Sequence, residues 1–172
     1  IGPRALVLFG TPEQKQKWLP PMASGEWISA FALTEPEAGS DAANVQTKAE
    51  PTQDGKGYIL NGEKRWITNG ALARMLIVMA RTPVPGSEET KITAFQVDST
   101  WPGFEVIEGR MDKMGVRGTA TAKLRFNNLF VPNENILGPL GKGLKIALTV
   151  LDFGRTTFGA TCTGAAKFCC RR

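Results

Sequence analysis

The side chains best placed to do chemistry fall in two short stretches. Phe31-Ala32-Leu33-Thr34-Glu35-Pro36-Glu37-Ala38-Gly39-Ser40-Asp41 carries two hydroxyls, and Trp66-Ile67-Thr68-Asn69-Gly70 carries an indole followed by a third. Phe31 to Leu33 suit a short buried strand, which Glu35-Pro36 stops because proline has no N–H and restricts the residue before it. Ala38 to Asp41 then reads as a tight polar turn, able to aim backbone N–H groups and the Thr34 and Ser40 hydroxyls at a ligand lying across the strand end. An ordinary surface turn uses the same residue types, and Trp66 is equally suited to a core. If the two stretches are neighbours, donors converge from two sides beside an indole wall. A flat heteroaromatic ring with polar edges fits such a site, since stacking fixes its plane and hydrogen bonds tune its electronics.

The rest of the composition narrows the chemistry. With no histidine in 172 residues, zinc sites of the usual Cys/His spacing and nucleophiles that need a histidine base are excluded; no metal site is expected. Carboxylates, hydroxyls, backbone amides or an organic cofactor must carry any catalysis. Cys162, Cys169 and Cys170 are odd in number and confined to the C-terminal stretch, so they read as small, partly buried hydrophobes rather than a disulfide scaffold. The net charge of +5 is scattered, with only Lys64-Arg65 and Arg171-Arg172 adjacent, which argues against a nucleic-acid surface. No apolar run approaches the ~20 residues of a membrane span, and the first residues lack the basic, apolar, small-residue order of a secretory signal, which in an internal fragment leaves targeting undecided.

These residues must be positioned by a mixed set of elements. Pro3 to Phe9 reads as the end of a helix. Thr11-Pro12-Glu13-Gln14 starts another, with Thr11 as N-cap and Gln14 completing a capping box, and Pro20-Pro21 is expected to end it. From Trp27 the texture is strand and turn for about a hundred residues, suited to a barrel or sandwich. Strands are expected over 27–34, 45–50, 58–60, 63–68, 75–80, 92–98, 104–107 and 122–131, with a bulge at Asn127-Asn128. Asn61-Gly62 is the strongest hairpin signal, and 82–90 is expected to be a long, mobile loop. Alternation puts Lys64, Trp66 and Thr68 on one face of their strand and Arg65 and Ile67 on the other. Helical spacing returns at Leu144, Ala147, Leu148 and Leu151. Gly141-Lys142-Gly143 lacks the third glycine and the βαβ setting of a dinucleotide fingerprint, so it reads as helix entry. The chain begins with Ile and ends in helix without a capping signal, and so reads as an internal fragment.

Taken together, the segments 31–41 and 58–70 closely resemble the acyl-CoA dehydrogenase family. Gly10-Thr11-Pro12-Glu13-Gln14, Lys113-Met114-Gly115, Phe126-Asn127-Asn128 with Val131-Pro132, and Leu151-Asp152-Phe153-Gly154-Arg155 extend the resemblance in order along nearly the whole chain. It implies an α+β fold: a mainly antiparallel, β-barrel-like middle domain over 26–137, the end of an N-terminal helical domain over 1–25, and the truncated start of a C-terminal helical domain over 138–172. It further implies FAD as cofactor, held by Phe31, Leu33, Thr34, Gly39, Ser40, Trp66, Ile67 and Thr68. Thr34 and the nearby backbone would bond the pyrimidine side of the flavin, Thr68 would sit near N5, and Trp66 would lie against the ring. Ser40 would touch both cofactor and acyl-CoA, with Asp152 and Arg155 on the CoA side.

The implied reaction removes two hydrogens across the α and β carbons of an acyl thioester: a glutamate takes the α proton and flavin N5 the β hydride. In most of the family that glutamate lies in the distal bundle, and in a minority it precedes the arginine matching Arg155, where this chain has Gly154. No catalytic residue is therefore expected in this chain; Glu35, Glu37 and Glu63 read as exposed turn or strand-edge carboxylates. The resemblance also implies an electron-transfer flavoprotein or similar acceptor as partner, a homo-oligomer at full length, and a bacterial cytoplasmic or mitochondrial matrix location. An acyl-CoA oxidase, a flavin monooxygenase of the same fold and a non-enzymatic β-domain stay open as alternatives.

Overall fold

The computed structural model describes residues 2–86 and 89–171. Two helices open the chain, α1 (Gly2–Phe9) and α2 (Pro12–Ala23). Eight strands follow: β1 (Ile28–Ala32), β2 (Lys48–Pro51), β3 (Gly57–Ile67), β4 (Ala73–Thr82), β5 (Lys91–Asp98), β6 (Phe104–Glu108), β7 (Ala122–Pro132) and β8 (Ile136–Leu137), and α3 (Gly143–Cys170) closes the chain. Of the loop expected over 82–90, Thr82 closes β4, and residues 87 and 88 lie outside the described residues, as do Ile1 and Arg172.

Strand β4 organises the core. Its alternate side chains go to opposite faces of the sheet, as the pleat requires. Leu76, Val78 and Ala80 join one apolar cluster with Phe95, Leu124, Phe126 and Leu129. Met75, Ile77 and Met79 join another with Leu6, Trp18, Ile146 and Val150 from the three helices. A strand buried on both sides must be apolar throughout, which is why 75–80 reads as an unbroken hydrophobic run. One edge of β4 pairs along its length with antiparallel β5. The other is shared: β1 runs parallel to its first part, through Phe31↔Ile77 and Ala32↔Val78, and β2 meets it at Lys48↔Arg81.

The sheet differs from the barrel-like, mainly antiparallel expectation in two ways. It is open, with the order β6-β7-β3-β2-β4-β5-β8 and β1 beside β4, and nothing pairs β6 with β8. It is also mixed, because β1 and β2 both run parallel to β4. The sheet nevertheless curls enough for Tyr58 of β3 to meet Phe95 of β5 at 5.3 Å between ring centroids, although β2 and β4 stand between them in the order.

Local departures have specific causes. Helix α2 runs through Pro20 and Pro21, because the carbonyls of Pro20, Pro21 and Met22 still accept from Ser24, Trp27 and Gly25 and close its last turn. The capping box forms as expected, and Gln14 also donates to Glu134 O (2.7 Å) and Ile136 O (2.8 Å), fastening α2 to β8. Asn61-Gly62 makes no hairpin; β3 runs straight through it. Glycine is needed there because a Cβ would meet Thr47 Oγ1 at 2.6 Å and its Cα at 2.7 Å. Opposite, β7 carries the expected bulge: Asn128 takes φ 50° and its N–H donates to Asn61 Oδ1 at 2.8 Å. The cysteines are exposed rather than partly buried, since only the first turns of α3 lie on the sheet.

Gly143 sets where α3 lands. A Cβ on it would meet backbone atoms of β5, Thr93 C at 2.6 Å and Ala94 N at 2.8 Å, so the helix start can approach the strand only as glycine. Gly143→Ala is expected to lower stability by about 1–3 kcal/mol, the usual cost of overpacking. Gly118→Ala, whose added methyl would meet nothing within 4 Å, serves as the neutral comparison in chemical denaturation.

Candidate functional site

The end of β1, the end of β3 and one face of α3 enclose a pocket of about 440 Å³. Phe31, Leu33, Thr34, Gly39, Ser40, Trp66, Ile67 and Thr68 all line it, together with Arg155. Sequence reasoning thus picked out two walls whose proximity it could not see. Asp152 does not line the pocket; it pairs with Arg155 at 3.1 Å on the exposed surface of α3. The wall that sequence reasoning missed comes from Leu148 and Leu151, which with Arg155 follow an i, i+3, i+7 spacing on one helix face, and from Gly2, Ser29, Ala30, Ala42 and Asn69. The α3 spacing was visible in the sequence, but periodicity alone does not say which sheet edge a helix face meets.

The chain is bent into this pocket by two tight turns. After β1, Glu35 N–H donates to Ala38 O at 2.8 Å, and the buried Ala38 anchors the loop that presents Gly39 and Ser40. After β3, Gly70 N–H donates to Ile67 O at 3.0 Å, with Asn69 at φ 57°. The segments leading into the two turns are joined directly, because Arg65 N–H donates to Thr34 O at 2.9 Å.

Trp66 is not a core aromatic. It is 56% exposed, and its backbone sits at φ 56°, the left-handed region that an aromatic residue rarely enters. The register against β7 slips by one residue between Lys64 and Ile67, marking a bulge at Arg65-Trp66. The bulge breaks the expected alternation: Lys64 and Ile67 point inward, while Arg65 and Trp66 point out. The indole is thereby swung onto the pocket rim, with the Arg65 guanidinium 4.6 Å from its ring centroid. Such strain costs about 1–3 kcal/mol and persists only where neighbours over-determine it.

Beneath the pocket lies a buried ion pair. Lys64 is fully buried, and Nζ donates to Glu35 Oε1 (2.7 Å), Met79 O (2.6 Å) and Leu33 O (3.1 Å). Glu35, expected to be exposed, is only 3% exposed and also accepts from Gln46 N–H, Thr47 N–H and Thr47 Oγ1. Burial pulls the Lys64 ammonium down to about 8, against the charge and hydrogen bond of Glu35 that hold it up. For Glu35, burial pushes upward, but the Lys64 charge and the hydrogen bonds from Lys64, Thr47 and Gln46 together hold the carboxyl below its usual value. Glu37 is exposed as expected, and Glu63 is half-buried against Lys123 (2.7 Å) and Arg125 (2.8 Å).

Among the described residues, the hydroxyls of Thr34, Ser40 and Thr68 make no hydrogen bond within the chain, although each lines the pocket. The site therefore combines unengaged donors on two strand ends, an aromatic rim, an apolar helix face and a cation at its mouth. That donor set and volume suit a planar, polar-edged ligand. The Glu35 pair also has a consequence in acid. A carboxyl whose folded pKa is depressed contributes stability above its unfolded value, near 4.5, and loses it as pH falls through the folded value. Melting temperature is expected to fall as pH drops below 4.5, and Glu35→Gln should flatten that decline.

The sequence matches the family model described as acyl-CoA dehydrogenase, middle domain, over residues 30–129, and the N-terminal domain model of the same family over 1–26. It is 45% identical over 172 residues to the human mitochondrial very long-chain specific acyl-CoA dehydrogenase, covering 97% of this chain and 26% of that protein. Among solved structures, the acyl-CoA dehydrogenase of Bacillus anthracis complexed with FAD superposes with a TM-score of 0.83 at 42% identity, over 90% of this chain and 26% of that one. The butyryl-CoA dehydrogenase of Megasphaera elsdenii gives 0.81 at 45% identity, over 88% and 39%. Relatives thus include both mitochondrial and bacterial proteins, and the chain spans only about a quarter to two-fifths of their lengths. With more than half of its residues matched by the middle-domain model and this fold around the pocket, the chain belongs to the acyl-CoA dehydrogenase family.

Proposed function

We propose that the pocket between the ends of β1 and β3 holds the ring system of FAD, and that the full-length protein containing this chain dehydrogenates acyl-CoA thioesters across the α and β carbons. The observation that carries the reading is the convergence of eight residues from two separate segments on one pocket whose three hydroxyls are unengaged. Bound there, FAD supplies a two-electron acceptor for the hydride leaving the β carbon.

The chain's own residues bind, orient and shield. Thr34 and the turn behind it offer donors to the polar edge of the ring, and Thr68 offers another from the second wall. Trp66 covers a ring face, and a face covered by indole and apolar side chains excludes water from the reacting centre. Ser40 lies on the substrate side of the same turn. Arg155 stands at the mouth from α3, paired with Asp152, where a cation suits the anionic end of a CoA thioester. None of these groups is a base for the α proton; in this reading the base is supplied from outside the chain, as is the remainder of the flavin site. The electron acceptor proposed is a flavoprotein of the electron-transfer class, and the assembly a homo-oligomer.

The full-length protein is expected to copurify with a yellow flavin whose absorbance bleaches anaerobically when a saturated acyl-CoA is added. Retention of FAD without bleaching across short to long acyl chains would refute dehydrogenation, and rapid reoxidation of the reduced flavin by oxygen would instead favour an oxidase. Thr34→Val is expected to weaken FAD binding by about five- to tenfold, the worth of one hydrogen bond near 1 kcal/mol, measured by fluorescence titration of the apoprotein. Lack of any FAD binding by the full-length protein would favour a non-enzymatic β-domain.

A further inference from the structure

We propose that Lys64 and Glu35 are positioning residues for the ring-binding edge: the buried pair fixes the Leu33–Glu35 backbone so that Thr34 faces the pocket, without either charge touching the ligand. The inference rests on the flavin reading above.

Neither residue lines the pocket, yet both grip the residues that flank Thr34. Lys64 Nζ binds Leu33 O on one side of Thr34 and the Glu35 carboxylate on the other. Thr34's own carbonyl is taken by Arg65 N–H, from the residue next to Lys64. Three consecutive residues are thus tied from behind to two consecutive residues of β3. The third Lys64 hydrogen bond, to Met79 O, anchors the assembly to the buried strand β4. Glu35 in turn fixes the far end of the loop through Gln46 and Thr47, so the segment carrying Gly39 and Ser40 is held at its base. Every ammonium proton is used, and all of them act on the side away from the ligand. On the pocket side the Thr34 hydroxyl is left unengaged.

Stability alone does not account for such a pair. Removing two charges from water is costly, and well-packed neutral replacements of buried pairs are often as stable. What an apolar filler cannot reproduce is a fixed separation between three acceptors on two segments, 33–35 and β4. A lysine does so here, because Lys64 keeps the inward parity of Leu60, and the slip at Arg65-Trp66 just beyond it swings Trp66 outward. The indole wall and the support of the opposite wall are therefore set by adjacent residues of one strand.

The test uses the full-length protein. Glu35→Gln and the neutral double variant Lys64→Met/Glu35→Gln are compared with wild type and with Phe126→Leu, a core change away from the pocket that serves as a destabilised reference. Folding is read by circular dichroism and melting temperature, FAD affinity by titration of the apoprotein, and ring placement by the fine structure of the flavin absorption band. The expected result is a folded variant whose FAD dissociation constant rises about tenfold or more, consistent with one or two displaced hydrogen bonds, with a blurred flavin band, while Phe126→Leu keeps both wild-type values. Folded variants with wild-type affinity and spectrum would overturn the positioning role, as would equal losses in Phe126→Leu. Wild type that binds no FAD would instead overturn the flavin reading and this proposal with it. Either variant suffices if the other does not fold.

Discussion

The three hydrogen bonds of a single buried ammonium fix the spacing of three points of the chain at the edge of the pocket. Lys64 reaches from β3 to the carbonyl of Met79 on β4, the carbonyl of Leu33 beyond β1 and the carboxylate of Glu35 in the loop that follows. A charge in that position is tolerable only while it is paired and fully hydrogen-bonded, because loss of one partner strands the other out of water at a cost of about 3–5 kcal/mol. The constraint is therefore all-or-none. With the pair intact, the ends of β1 and β3 lie side by side; with one partner missing, both turns lose their common support.

That constraint works only because β4 beneath it is rigid. Its residues from Met75 to Ala80 are completely buried and divide between two apolar clusters, one under the curled sheet and one under the helices. A strand fixed on both faces and paired on both edges is a fixed reference for whatever is tied to it. The site lies off the middle of this strand, where β1 stops at Ala32 opposite Val78 and leaves the later part of the β4 edge to β2. Between the two, residues 33–47 leave the sheet, bend around Glu35 and return. The pocket opens where the sheet has given up regular pairing, and the lost ladder bonds are replaced by side-chain bonds from Lys64, Glu35 and Arg81, whose guanidinium holds the Val45 and Ala43 carbonyls.

Much of this frame was legible in the sequence, and the misses share a cause. Periodicity located the strands around Met75–Ala80, Ile92–Asp98 and Ala122–Val131, and the capping box at Thr11, since each depends on residues close in sequence. The Asn127-Asn128 bulge was legible for the same reason. Failure came wherever a distant contact overruled a local preference. Asn61-Gly62 carries the composition of a hairpin turn, but its glycine answers the close approach of Thr47. Glu35 follows the pattern of an exposed turn residue and is buried by a lysine far along the chain. The face assignment of Lys64 and Trp66 failed because strict alternation assumes an unbroken strand, and a bulge reverses it. The open, mixed sheet could not be read either, because parallel pairing of β1 with β4 depends on which edge the chain returns to.

The distribution of burial along α3 bears on how the site is shared. Its first two turns are seated on β4 and β5 through Ile146, Ala147 and Val150, and Leu148 and Leu151 close the pocket from above. Beyond Leu151 the helix carries Phe153, Phe158 and Phe168, all substantially exposed. Phe153 lies 5.2 Å from the Arg4 guanidinium, which ties the middle of α3 back to α1. Arg155 lies at the changeover, contacting the pocket on one side and paired with Asp152 on the other. The strand ends thus define a wall with unengaged donors, while the helix that faces it contributes Leu148, Leu151 and Arg155. A donor wall braced by a rigid strand and faced by a helix seated on that same strand keeps the two sides of the pocket in a fixed relation. The proposed ring site thus rests on residues 31–40 and 66–68, whose two segments are tied to each other through Lys64, Glu35 and Arg65.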